Sequence, residues 1–148
     1  MEGIVVVICI SPVAGEPMEV VAEAEAIAGA GLKGDRYATS EGSFSGRKGG
    51  NRQVTLINGK FFSRSGFSYT DSRRNIVTMG VELMGLIGKD FQIGEAVFRG
   101  IGYCDPCNRP SKLSGKERSF KEFFSDCGGL TAEIIESGII KTGDQIIT

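Results

Sequence analysis

The chain has 148 residues, 41% of them hydrophobic, which is enough for one compact core and excludes an intrinsically disordered protein. Its 17 basic and 18 acidic side chains leave a formal net charge of -1, so no bulk attraction to nucleic acid or to a membrane surface is expected. There is no histidine, which removes imidazole acid–base catalysis, the serine triad and every zinc site built on histidine.

The segment from Gly3 to Ile10 is a continuous apolar run with three valines and reads as a buried strand. What precedes it lacks the basic start of a secretory leader, and no apolar run approaches the ~20 residues that span a bilayer, so a cytoplasmic protein is expected. Pro12, Gly15 and Pro17 mark a turn. Residues 18–28 set Glu19, Glu23 and Glu25 among apolar positions; propensity would allow a helix, but alternation favours an edge strand. Gly31 to Arg36 is a glycine turn in which Asp35 is placed to hold Arg36; it lacks phosphate-loop spacing. The polar stretch from Ala38 to Asn51 carries four glycines, cannot build core, and is expected to be a mobile loop.

Residues 52–57 read as a strand that begins with the charge of Arg52. Residues 58–67 suggest a short helix anchored by Phe61 and Phe62, and Ser72 to Asn75 opens a strand over 76–78. Residues 80–88 form a compact apolar turn or short helix, and 91–98 two alternating strands around Gly94 and Glu95. Further on, Ser119 and Glu122 have capping-box spacing, Phe120, Phe123 and Phe124 share a helical face, and Gly128-Gly129 is expected to stop that helix. Residues 132–137 suggest a short turn, followed by strands over 138–141 and 145–147. There is no internal repeat. Short strands, many glycines and few helices predict a mainly β protein, a closed β-barrel of complex topology with a few short helices, and a single domain over residues 1–148.

Chemistry concentrates in the stretch from Gly100 to Pro110, where Cys104 and Cys107 are three positions apart, Pro106 lies between them and Arg109 follows. A thiolate near a cation suits a soft metal, a sulfur atom or an electron pair. Three other readings compete. The cysteines would be small residues in a buried loop. They would be a thioredoxin-like redox pair, although Pro110 stands against a helix there and the surroundings are β-rich. Or all four thiols, with Cys9 and Cys127, would hold a structural zinc. Arg36, Arg52, Arg73, Arg74 and Arg109 each fall at a strand end or turn. Strand ends converge at a barrel rim, and guanidinium groups gathered there would grip a phosphate or carboxylate through paired bonds. Solvated surface charge is the alternative for each of them. Asn75 adds an amide able to read a heterocycle edge.

Taken in order, Gly31 to Arg36, Arg52 to Ile57, Ser72 to Ile76, Val81 to Gly94, Cys104 to Pro110, Gly128 to Leu130 and Gly138 to Asp144 resemble the MOSC domain family, named for the C-terminal part of molybdenum cofactor sulfurase. The resemblance implies a closed barrel of the MOSC or pyruvate-kinase kind. It also implies a role in sulfur delivery or in binding a molybdenum–pterin cofactor. In the related amidoxime-reducing proteins a cysteine of the matching loop ligates molybdenum, and an arginine–asparagine pair holds the pterin phosphate. By position, Cys107 would ligate molybdenum or bear a persulfide, Cys104 would assist or resolve it, and Arg73 and Asn75 would contact the cofactor. Arg36, Arg52, Arg109 and Asp35 would complete the set around the anionic pterin. The chain lacks the N-terminal domain of the amidoxime reducers and the pyridoxal-phosphate lyase domain of the sulfurase. No pyridoxal phosphate is therefore expected on it. A sulfur donor such as a cysteine desulfurase, or molybdenum cofactor biosynthesis proteins, are the expected partners. Two further functional readings stand beside the sulfur carrier: a molybdenum-dependent reductase of N-hydroxylated compounds with a partner electron donor, and a non-catalytic domain with structural cysteines.

Overall fold

The structure, a computed structural model, describes residues 3–13, 15–38, 52–106, 109–115, 119–125 and 127–148, with the side chain of Arg109 left out. The described residues form strands β1 (Gly3–Ile10), β2 (Glu19–Val21), β3 (Glu23–Ile27), β4 (Gly31–Leu32), β5 (Val54–Asn58), β6 (Ile76–Met79), β7 (Asp90–Ile93), β8 (Ala96–Tyr103), β9 (Leu130–Glu136), β10 (Gly138–Lys141) and β11 (Gln145–Ile147). Two short helices, α1 (Arg109–Ser114) and α2 (Phe120–Phe123), and three single-turn 3-10 segments complete the chain. Seven strands close into a mixed barrel in the order β1-β11-β7-β8-β9-β5-β6, with β6 returning to β1. Every pairing in it is antiparallel except β5 with β6.

Closure depends on β1, whose eight residues are long enough to serve several partners. On one side its start pairs with β11 (Gly3 with Ile146) and its end with β2 (Cys9 with Val20). On the other side it pairs with β6 across a bulge between Val5 and Val7. A separate sheet, β10-β3-β4, flanks the barrel. In β3 the glutamates point out while Ala24 and Ala26 point in, as the predicted alternation requires.

Burial separates two cores. Leu56 and Ile76 face the barrel interior with Phe91, Phe98, Leu130 and Ile146. Their neighbours Ile57 and Val77 face outward and are buried by Phe62, Phe67, Phe120 and Phe124. That outer covering explains why β5 is apolar on both faces, whereas a one-sided strand would alternate. Phe120 and Phe124 stack with ring centroids 4.3 Å apart. The helix that carries Phe120 is capped by Ser119, whose hydroxyl accepts from the Glu122 amide at 3.2 Å, as the capping-box spacing predicts.

Several local expectations are corrected. Residues 132–137 are not a turn but most of β9, in which Leu130, Ala132 and Ile134 alternate inward; strand period outweighs the helical propensity of Ala and Glu. Pro110 does not exclude a helix: it lies in the first turn of α1, where an amide has no intrahelical partner to lose. The helix α2 ends at Phe123, five residues before Gly128, and Phe123 and Phe61 are each 37% exposed, so Phe61 is not an anchor and Phe123 lies at the edge of the aromatic face. The polar stretch 39–51, expected to be a mobile loop, lies outside the described residues.

Gly128 and Gly129 have a different purpose from stopping a helix. Gly129 has φ 111°, and a Cβ there would collide with the Leu56 carbonyl. Gly143 also has a positive φ of 94°, but a Cβ on it meets nothing within 4 Å. Gly129→Ala is therefore expected to lower stability by about 2–3 kcal/mol and Gly143→Ala by about 1 kcal/mol. Urea denaturation of the two variants measures the difference, and equal losses would contradict the close approach at Gly129.

Candidate functional site

The segment from Ser72 to Asn75 joins four parts of the molecule. The 3-10 turn Thr70–Ser72 ends at Arg73, which is left-handed with φ 61° and ψ 20°. That reversal sends consecutive side chains in different directions. Arg73 Nη1 donates to the Glu16 carbonyl at 2.8 Å, in the loop between β1 and β2. Arg74 Nε donates to the Gly128 carbonyl at 2.8 Å, and its Nη2 makes longer bonds to the carbonyls of Cys104 and Asp105, 3.5 and 3.4 Å. Asn75 Nδ2 donates to the Cys9 carbonyl on β1 at 3.1 Å, while its Oδ1 accepts from the Thr55 amide on β5 at 3.0 Å.

Arg36 approaches the same segment from the other side. Its Nη2 donates to the Arg73 carbonyl at 3.1 Å and to the Tyr37 hydroxyl at 3.2 Å. Its Nη1 pairs with Asp35 Oδ1 at 3.1 Å and lies 3.5 Å from the Met18 sulfur. Asp35 is fully buried and also accepts from the amides of Ser11, at 2.9 Å, and Tyr37, at 3.4 Å. The glycine turn Gly31 to Arg36 thus does what its sequence predicts: Asp35 holds Arg36. Arg36 in turn holds the backbone that aims Arg73.

The structure brings Arg36, Asp35, Arg73 and Asn75 together. Asn75 is fully buried and its amide links β1 to β5, so it supports the site from within. Arg52 lies just before β5 and is half-buried. Cys107 lies outside the described residues, as does the side chain of Arg109. Arg74, although it belongs to the predicted arginine group, has a role that sequence reading did not single out: it ties the cysteine stretch to β6. The tandem Arg73-Arg74 was the available signal, because the turn at Arg73 separates the directions of the two guanidinium groups.

Beside Arg73 lies a cavity of about 150 Å³, walled by Pro17, Met18, Thr70, Asp71, Pro110 and Leu113. Cavities of that size take one six-membered ring elsewhere. The Arg73 guanidinium suits a phosphate group, the anionic end of a pterin cofactor, while the Asp71 carboxylate in the same wall works against one, and the space does not enclose a whole tricyclic pterin. Among the described residues no three histidine, cysteine, aspartate or glutamate side chains are gathered to hold a metal ion.

The thiols differ sharply. Cys9 is sealed in β1, and burial pushes its pKa up to about 11, so its free thiol stays protonated at neutral pH. Cys104 is buried with its amide donating to the Gly129 carbonyl at 2.9 Å. Cys127 is half-buried at the edge of the outer aromatic core.

A closed mixed barrel with arginines gathered beside the cysteine stretch defines a class of protein, and comparison supplies its name. The MOSC domain model matches residues 52–147, and the chain belongs to that family, one linked in general to molybdenum-cofactor-related function. Its fold is similar to the crystal structure of the YUAD protein from Bacillus subtilis, with a TM-score of 0.79, 16% identity, and 99% of this chain and 94% of that one covered. YiiM from Escherichia coli superposes with a TM-score of 0.68 and 16% identity over 99% of this chain and 69% of that one. For YiiM from Geobacillus stearothermophilus the values are 0.67 and 14% over 98% and 74%. At such identities the likeness concerns the fold. No curated protein sequence matches the chain.

Two predictions follow from the buried groups. Asp35→Asn leaves the Arg36 guanidinium buried without its counter-charge, which is expected to cost on the order of 3–5 kcal/mol in chemical denaturation. Cys9 carries its proton to higher pH folded than unfolded, so its contribution to stability is full below pH 9 and is lost as pH rises toward 11. The decline of unfolding free energy over that window should be shallower in Cys9→Ala than in the parent protein.

Proposed function

We propose that this protein handles sulfur for the molybdenum cofactor, with Cys107 as the thiol that accepts and passes on a sulfur atom. The observation that carries the reading is the anchoring of the cysteine stretch beside Arg73. Arg74 holds the carbonyls of Cys104 and Asp105 on one flank of Cys107, and Pro110 on the other flank forms a wall of the Arg73 cavity.

In this reading the Cys107 thiolate attacks the outer sulfur of a donor persulfide. One sulfur–sulfur bond forms as another breaks, the donor leaves as a thiolate, and nothing is oxidised overall. Arg73 receives the phosphate end of the cofactor or of its carrier in the adjoining cavity. Arg36 and Asp35 keep the Arg73 backbone in place. Cys104 supports the stretch or resolves the persulfide. When bound, the cofactor would supply the molybdenum centre that receives the sulfur. A cysteine desulfurase or a cofactor biosynthesis protein is the donor that fits, because the reading assigns this chain transfer alone.

The test is sulfur loading from a persulfide donor, read by intact-protein mass spectrometry. Cys107→Ser should abolish the added sulfur and Cys9→Ser should leave it unchanged; equal loading of both would end the assignment. Arg73→Gln should load normally but lose retention of a phosphate-bearing pterin, by at least about fivefold. Stoichiometric molybdenum in anaerobically purified protein would instead favour the reductase of N-hydroxylated compounds. If Cys104→Ser and Cys107→Ser alter stability but neither sulfur loading nor pterin retention, the cysteines are structural.

A further inference from the structure

We propose that a second cavity, on the outer face of the barrel, is a binding site for a small planar aromatic carboxylate. It measures about 490 Å³ and is lined by Lys60, Phe62, Ser63, Phe67, Tyr69 and Met79. The cavity is open to solvent on one side, its volume lies within the ~300–1,000 Å³ range of small-molecule sites, and a mainly apolar wall with a few polar groups is their usual composition. No residue of the cysteine stretch takes part, so the inference stands apart from the sulfur-handling reading.

The aromatic wall is fixed before any ligand arrives. Phe62 and Tyr69 meet edge to face with centroids 5.0 Å apart, and Phe67 meets Phe120 likewise at 5.2 Å. The loop that carries them is held from inside by Ser65, whose hydroxyl donates to the Phe62 carbonyl at 2.7 Å and accepts from the Phe67 amide at 2.9 Å. Rings held this way offer a flat guest offset or edge-on contacts at little ordering cost. The Met79 thioether adds a polarisable contact suited to an aromatic ring.

Charge decides the rest of the ligand. Among the described residues no acidic side chain lines the cavity, and residues 59–69 contain Lys60 and Arg64 but no aspartate or glutamate. The nearby Asp71 carboxylate accepts from the Ser68 amide at 2.9 Å and lines the Arg73 cavity instead. The Lys60 stem lines the cavity, while its ammonium lies 5.0 Å over the ring of Phe61, which does not, and the exposed side chain can turn the ammonium to a guest at the rim. A flat ring with one negative substituent matches both features, whereas a neutral ring uses only the first.

The test is titration of isotope-labelled protein with naphthoate and with neutral naphthamide, followed by backbone amide shifts. Naphthoate should produce saturable shifts centred on residues 59–69 and Met79. Lys60→Gln, an exposed change that spares the core, should weaken naphthoate about fivefold and leave naphthamide unaffected. The proposal is overturned by an absence of saturable shifts at millimolar naphthoate, by shifts centred on Arg73, or by a Lys60→Gln variant that binds naphthoate as the parent does.

Discussion

A guanidinium taken out of water has to be met by acceptors, and two such groups, on Arg36 and Arg74, organise this molecule. Each would cost several kcal/mol if buried without partners. Arg36 meets one carboxylate, a hydroxyl and a backbone carbonyl; Arg74 meets backbone carbonyls. Those acceptors belong to distant stretches of chain, so satisfying the two charges brings the glycine turn, the segment 72–75 and the cysteine stretch to one place. Among the described residues the partners of Arg74 are backbone carbonyls and not an acid. Its carbonyl partners therefore have to be presented in a fixed geometry, which is the requirement that positions the backbone of Cys104 and Asp105.

The barrel makes that presentation possible. Because β1 has β11 and β2 along one side and β6 along the other, the loop after β1 emerges beside the start of β6. Arg73 can then reach the Glu16 carbonyl, and Asn75 can bridge from β1 to β5. The left-handed residue at position 73 is the local strain that this arrangement maintains. The carbonyl of that residue, held by Arg36, is where the strain is restrained.

Burial seals two of the thiols, since Cys9 and Cys104 are both without solvent exposure. Cys9 sits in an apolar strand whose burial raises its pKa. The cysteine stretch instead leaves β8 beside two glycines that permit close backbone approach. Gly128 has no side chain to collide with the Cys104 carbonyl and with Pro106, so the chain there can lie against its neighbour and accept the Arg74 bond. The site is therefore built from backbone as much as from side chains.

Sequence alone determined the period-two alternation of β3 and β7, the capped helix at Phe120, the grip of Asp35 on Arg36, and the barrel class, since each rests on spacing within a few residues or on an ordered set of segments. It misread β9, whose Ala and Glu content favours helix until two neighbouring strands supply a ladder. It also treated Gly128-Gly129 as a helix stop, although α2 ends earlier and the glycines answer to other backbones, Gly128 to Cys104 and Pro106 and Gly129 to Leu56. Only the tertiary structure separated Arg73 from Arg74, sending one to a cavity and the other to the cysteine stretch, and turned Asn75 inward. Those directions depend on one left-handed residue and on acceptors distant in sequence, and neither leaves a local pattern to read.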